Sequence, residues 1–266
     1  MARKREWFDD DRFWRELHPF LFPETSFQAA ARDLPAVLRL AKPRGRDVLD
    51  LCCGPGRFAI PLAKRGFAVT GVDRTRYFLE RGRARARKAR ARVEWVRSDM
   101  RDFVRPDAFD LVLSMFTSFG YFDDKSEDLA VLRNIRASLR PGGALVIELM
   151  GKEIVARIWQ ESSCAEHSGG ARLFQRRRLL DDWTRIQNEW TLVRAGRAKT
   201  YRFHHTLYSG QELRDRLEAA GFTGVRLYGS LSGEPYDLKA VRLVAVARTP
   251  GRRARRPVRP KTRRPR

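Results

Sequence analysis

An apolar run that ends in a glycine-rich turn and then breaks into helical periodicity constrains this chain more than any other feature. Val48-Leu-Asp-Leu51 passes directly into Cys52-Cys-Gly-Pro-Gly56, and residues 57–65 follow with the spacing of a helix. Glycines permit the sharp turn and leave room for a ligand against the main chain. In an open parallel sheet the ligand lies beyond the carboxyl ends of the strands, where such a loop falls.

The same alternation continues along the chain. Segments 47–51, 68–72, 93–97, 110–114 and 144–149 read as strands, with helices at 75–91 and 125–139 between them, the last stopped by Arg140-Pro-Gly-Gly143. A helix at 211–220 leads to two more strands near 225–228 and 241–247. Before that helix the period drops to two, and 173–180, 186–194 and 199–207 read as an antiparallel meander. Arg194-Ala-Gly-Arg197 is its expected hairpin loop, which sets Trp190 facing Tyr201. Ahead of the first strand, helices at 10–17 and 26–40 flank His18-Pro-Phe-Leu-Phe-Pro23, whose aromatics either cap the ligand site or, by default, pack in the core.

The net charge of +23 has two readings: a surface for anionic partners, or coding bias, since 46 arginines stand against 9 lysines. The run Arg81-Gly-Arg-Ala-Arg-Ala-Arg-Lys-Ala-Arg-Ala-Arg92 leaves only Leu79, Gly82, Ala86 and Ala89 to face the sheet, so its helix must pack through small residues. Residues 251–266 hold nine cations and no acid, which marks a disordered basic tail and leaves nucleic acid as a possible partner there. No apolar stretch approaches the roughly 18–20 residues of a membrane span, and Trp7-Phe-Asp-Asp-Asp11 stands where a signal peptide needs an apolar run. A cytoplasmic protein without a membrane partner is expected. Three cysteines, two of them adjacent at Cys52 and Cys53, form neither a disulfide framework nor a metal-ligand spacing, and no metal is expected. Nothing in the sequence marks an oligomeric state.

Two further acids extend the chemistry of the loop. Asp73 ends the second strand seventeen residues after Gly56, where its carboxylate can accept hydrogen bonds from a ribose diol. Asp99, followed by Met100, comes just after the third strand. Acids at three successive strand ends resemble the pattern of class I S-adenosylmethionine-dependent methyltransferases, over residues 48–149. The usual loop reads acid-x-Gly-x-Gly-x-Gly, so Cys52 stands at the first glycine position, and its backbone is expected to avoid positive φ. Phe109-Asp-Leu-Val-Leu-Ser-Met-Phe-Thr-Ser-Phe-Gly-Tyr121 is similar to the fourth-strand region of small-molecule methyltransferases, including those that N-methylate amino sugars.

The resemblance implies an α/β fold: a Rossmann-like seven-stranded, mostly parallel sheet with helices on both faces and an inserted antiparallel β lid. It divides the chain into an amino-terminal helical cap (1–41), a cofactor-binding core (42–150), the lid and substrate region (151–208), completion of the sheet (209–248) and the basic tail (249–266). It implies S-adenosyl-L-methionine as cofactor, held by Asp50, Cys52, Gly54, Pro55, Gly56, Asp73, Arg74, Asp99, Met100, Ser114 and Met115. Asp99 is then placed for the adenine amino group and Met100 for the ring. A small-molecule acceptor is expected at Thr117, Ser118 and Tyr121.

Competing readings follow from the same residues. Gly54-Pro-Gly-Arg-Phe-Ala59 also fits the dinucleotide pattern Gly-x-Gly-x-x-Ala, but an NAD enzyme needs neither Asp99 nor the 114–121 segment. Methyl transfer to a nitrogen or oxygen is a direct displacement that requires alignment above all, and a base only when the acceptor arrives protonated. No obligatory catalytic residue is therefore legible. Tyr121, His204 and His205 are the candidates, the two histidines pointing to opposite sides of a strand. An RNA or DNA methyltransferase using the basic helix and tail is an alternative, although no Pro-Pro-aromatic follows strand four. A non-catalytic cofactor-binding protein is the other.

Overall fold

Asp47–Leu51 (β1) pairs in parallel with Ala68–Asp73 (β2) on one side and Phe109–Ser114 (β4) on the other, which places the glycine loop at the centre of a seven-stranded sheet. The computed structural model describes residues 6–167 and 169–251; of the expected tail, residues 252–266 lie outside the described residues. Glu94–Arg97 (β3) extends the sheet beyond β2, and Leu139–Leu149 (β5) extends it beyond β4. Leu243–Arg248 (β11) then runs antiparallel between β5 and Thr223–Tyr228 (β10). The order β10-β11-β5-β4-β1-β2-β3 is the mostly parallel, Rossmann-like arrangement that the resemblance implies.

Strand residues alternate between two apolar layers, as the period of two requires. Leu49, Val112, Leu145 and Ile147 face Lys125–Ser138 (α5) and Gly210–Ala219 (α7) through Val131, Leu132, Leu213 and Leu217. Val48, Leu111, Leu113 and Val146 face Glu24–Ala41 (α2) and Ala59–Lys64 (α3) through Leu34, Val37 and Leu62. The basic helix Arg76–Lys88 (α4) lies on the α3 side, and a Cβ at Gly82 would stand 2.6 Å from the Trp95 ring of β3. Only glycine admits that approach, so packing through small residues is observed here, with Phe78 as an added buried anchor.

The lid is a separate four-stranded antiparallel sheet: Ser162–His167 (β6), Ala171–Leu180 (β7), Arg185–Arg194 (β8) and Arg197–Thr206 (β9). Ala195 and Gly196 take φ of 49° and 71°, the left-handed pair that a two-residue hairpin demands, and Trp190 does face Tyr201. Strand β6 and the short helix Lys152–Arg157 (α6) have no counterpart in the periodicity.

The 18–23 segment behaves differently from expectation. Asp11–Leu21 (α1) continues through Pro19, because Phe13, Leu17, Phe20 and Leu21 form one stripe that packs against Leu173, Leu192 and Phe203 of the lid. The Phe22 N–H then closes the helix on the His18 carbonyl at 2.8 Å. Of the amino-terminal segment, α1 and the preceding 3₁₀ turn Trp7–Asp9 lie over the carboxyl ends of the strands, whereas α2 packs beneath the sheet. Among the described residues no helix is long and apolar enough to cross a membrane.

Candidate active site

The loop after β1 turns through three residues of positive φ: Cys52 at 59°, Gly54 at 53° and Gly56 at 88°. The expectation for Cys52 is thus overturned, since it adopts the left-handed conformation of the glycine it replaces. That conformation costs an L-residue roughly 1–2 kcal/mol. Flanking bonds hold it: Cys53 N–H to Val72 O at 3.0 Å, Gly54 N–H to Asp73 Oδ2 at 2.9 Å and Gly56 N–H to Cys53 O at 3.0 Å. The Cys52 thiol lies 3.7 Å from the Met100 sulfur.

Beside this loop is a cavity of about 250 Å³ between the strand ends and α1. Cys52, Gly54, Asp73, Arg74, Asp99, Met100, Ser118 and Tyr121 of the expected site line it. Asp50, Pro55, Gly56, Ser114, Met115 and Thr117 do not. Asp50 sits behind the loop, buried, with Oδ2 unpartnered and its carboxyl pushed up to about 7 by burial, against the pull of the Ala59 N–H and Arg57. The aromatics of the amino-terminal segment both pack and line the cavity: Phe8, Trp14 and Phe22 form its roof with Phe78.

Among the described residues the charged groups of the cavity are each held by polar partners, with one exception. Asp73 accepts from Gly54 through Oδ2 and from the Thr75 N–H, at 2.8 Å, through Oδ1; burial raises its carboxyl, and these bonds oppose the rise. Asp99 is gripped by Arg101, Nη2 to Oδ2 at 2.8 Å and Nε to Oδ1 at 3.0 Å. Burial opposes ionisation of Asp99, yet the Arg101 bonds prevail and hold it below the ordinary carboxylate range. Arg74 is tied to Asp9.

The exception is Arg57, which the sequence reading passed over although it directly follows Gly56. Its guanidinium lies 3.4 Å from the Phe116 ring centroid and 4.7 Å from that of Phe22, and among the described residues no carboxylate pairs with it directly. Burial depresses it to about 10, with the more distant charges of Glu148 and Asp50 working the other way.

Glu148 is a second residue that sequence reasoning missed, visible only as an acid inside the apolar run of the fifth strand. It is 3 % exposed. Its Oε2 accepts the Phe116 N–H at 2.7 Å and its carbonyl accepts the Thr117 N–H at 3.0 Å, while Arg242 holds Oε1 at 2.8 Å. Phe116 and Thr117 take φ of 60° and 57°, two consecutive left-handed residues without a glycine. The buried carboxylate thereby stops β4 and turns the chain so that Ser118 and Tyr121 reach the cavity.

A second cavity of about 370 Å³ lies between the 117–121 turn, α6 and the inner face of the lid. Thr117, Met150, Asn188, Trp190 and His205 are among its lining, and Tyr121 lines both cavities. The two histidines separate as the strand period predicts. His204 points outward, Nε2 at 2.7 Å from Asp123 Oδ1. His205 points inward, its ring 5.9 Å from that of Tyr121, and burial, aided by the charge of His204, lowers it to about 4.

Known proteins similar to this chain in sequence and fold are methyltransferases. Residues 48–143 match a family model described as a methyltransferase domain. The chain is 28% identical over 204 residues to the cypemycin N-terminal methyltransferase of a Streptomyces species, covering 76% of this chain and 82% of that protein. It is 30% identical over 122 residues to the dTDP-3-amino-3,4,6-trideoxy-alpha-D-glucopyranose N,N-dimethyltransferase of Streptomyces venezuelae, covering 46% of this chain and 50% of that one. In fold it is similar to an S-adenosylmethionine-dependent methyltransferase from Clostridium acetobutylicum ATCC 824, with a TM-score of 0.74 at 13% identity over 91% of this chain and 99% of the other.

Proposed function

Because the chain carries a class I, S-adenosylmethionine-dependent methyltransferase domain, we propose that it methylates a nitrogen or oxygen of a small-molecule acceptor held in the second cavity. One observation carries this reading: the loop-side cavity and the lid-side cavity adjoin at Tyr121. A methyl group leaving the first has a separate, largely apolar chamber to receive it.

The residues of the first cavity fit S-adenosylmethionine. Asp73 presents a buried carboxylate whose oxygens each retain a lone pair for a ribose hydroxyl. Phe8, Trp14, Phe78 and Met100 offer an apolar slot for the adenine ring, with Asp99 at its edge for the amino group. Arg57, a half-buried cation with no direct carboxylate partner among the described residues, suits the carboxylate of the methionine moiety. The cofactor supplies a methyl group on a sulfonium, which a nucleophile takes by direct displacement. What the chain contributes is alignment and exclusion of water, worth roughly 7–11 kcal/mol when orientation is good.

At the junction, Tyr121 orients the acceptor, and its hydroxyl stays protonated because burial raises it above the ordinary phenol range. His205, kept neutral by burial and with Nδ1 unpartnered among the described residues, can hydrogen-bond and orient the acceptor, while its low basicity leaves the proton of an ammonium to be lost to solvent before binding. One of these relatives is by its name an N,N-dimethyltransferase and the other an N-terminal methyltransferase, which makes nitrogen the first atom to test.

The test is methyl transfer from labelled S-adenosylmethionine to fractionated metabolite pools and, in parallel, to total RNA. Label in a small-molecule fraction supports the proposal. Label confined to RNA refutes it in favour of a nucleic-acid substrate.

A further inference from the structure

The face that the lid turns toward the second cavity has a pattern of its own. On β7 and β8, Arg177 stands directly opposite Asn188, Gln175 opposite Trp190 and Leu179 opposite Ile186. By the period of two these residues share one face, and Arg177, Asn188, Trp190 and Ile186 line the cavity.

The polar groups there are poorly served by the protein. Asn188 is 5 % exposed, yet among the described residues its side-chain Nδ2 has no partner, and neither has the indole Nε1 of Trp190. Both are donors. Among the described residues Arg177 donates only to neutral oxygens: the Gln160 carbonyl at 3.2 Å, Ser163 Oγ at 3.0 Å and Gln175 Oε1 at 2.6 Å. Among the described residues no carboxylate pairs with it, and the cavity lining contains no acid. Burial lowers the basicity of Arg177. A chain this rich in arginine has many cations on its surface, but this one is turned inward beside two unfilled donors.

We infer that the second cavity selects acceptors bearing a carboxylate or a phosphate, whose anionic oxygens are received by Arg177 and Asn188 while the nucleophilic atom lies toward Tyr121. This inference rests on the reading of that cavity as the acceptor site. A planar guanidinium with a flanking amide matches two oxygens of either anion, and the aromatic wall of Trp190 keeps the pair out of water. The anion supplies the charge that the protein omits, and the Trp190 N–H adds a third donor.

The experiment uses two probe pairs with S-adenosylhomocysteine present: glycine against glycinamide for the carboxylate, and glucosamine 6-phosphate against glucosamine for the phosphate. Dissociation constants come from ligand-observed NMR, and S-adenosylhomocysteine affinity from calorimetry. In at least one pair the anionic member binds about tenfold more tightly or better, and the pair that shows it identifies the anion. Arg177→Gln abolishes the preference, Arg177→Lys retains part of it, and Asn188→Leu, which keeps the volume, weakens the anionic member alone. Equal binding within both pairs, or a preference that survives Arg177→Gln, overturns the anion subsite while intact S-adenosylhomocysteine binding leaves the methyltransferase reading standing. Failure of the unmodified protein to bind S-adenosylhomocysteine overturns that reading first and the subsite with it.

Discussion

The Asp73 carboxylate accepts the Gly54 N–H at 2.9 Å, so the acid suited to a ribose is also the clasp of the glycine loop. Asp73→Ala removes both functions together. Affinity for S-adenosylhomocysteine should fall at least about tenfold in calorimetry, since one charged hydrogen bond contributes roughly 1.5–3 kcal/mol. Thermal stability should fall as well, and Asp73→Asn should lie between the two proteins in both measurements. A folded Asp73→Ala protein with unchanged affinity contradicts the assignment.

Arg57 provides a test at the other end of the cofactor. Arg57→Met keeps much of the packing between Phe22 and Phe116 and removes the charge. It should weaken S-adenosylhomocysteine binding about tenfold while leaving 5′-methylthioadenosine, which lacks the carboxylate, within about twofold. Equal losses for the two ligands show instead that Arg57 acts by shaping the loop.

The central sheet was legible because a buried parallel strand must be apolar and its loop must turn sharply, and both demands leave marks in the sequence. Cys52 shows where the marks end: its side chain gives no sign of a φ of 59°, which is imposed by the bonds from Cys53 and Gly54 to β2 and Asp73. Strand β6, Ser-Ser-Cys-Ala-Glu-His, is an edge strand with mostly exposed side chains and so carries no alternation to detect. Pro19 looks like a break, but the apolar stripe of α1 against the lid outweighs one lost helical bond. Tyr121 is legible from its place in a glycine-containing segment at a strand end. Arg57, Glu148 and the Arg177–Asn188 pair depend on what packs around them, which spacing alone does not encode.

The buried Asp50 makes stability depend on pH. Its carboxyl, pushed up to about 7, remains protonated in the folded protein where the unfolded chain, at about 4, has already released the proton. Rising pH therefore costs stability between those values, and the loss is complete above the folded value. Asp50→Asn cannot ionise, so its melting temperature should gain on that of the unmodified protein from pH 5 to pH 8, by about 2–4 °C for each kcal/mol. The depressed His205 contributes the opposite slope to both proteins and cancels in the difference. A difference that does not change with pH refutes the burial of an ionisable carboxyl here.

Part of the positive charge of α4 is already engaged: Arg85 pairs with Glu24 at 2.6 Å and stacks on Phe27, and Arg76 pairs with Glu80 at 2.7 Å. Removing residues 252–266 should leave the melting temperature and cofactor affinity unchanged and reduce salt-sensitive retention on RNA, because each phosphate contact adds to the salt slope. Loss of small-molecule turnover in the shortened chain argues for a nucleic-acid substrate.

Methyl transfer from one cavity to the other across Tyr121 is tested most directly by Tyr121→Phe, which deletes a hydroxyl and keeps the ring contacts with Trp7 and His205. Turnover of the small-molecule acceptor should fall about tenfold while S-adenosylhomocysteine affinity stays within about twofold, the signature of an interaction made with the acceptor and the transition state. Unchanged kinetics, together with crosslinked acceptor mapping to the arginine-rich face of α4, contradict transfer between these two cavities.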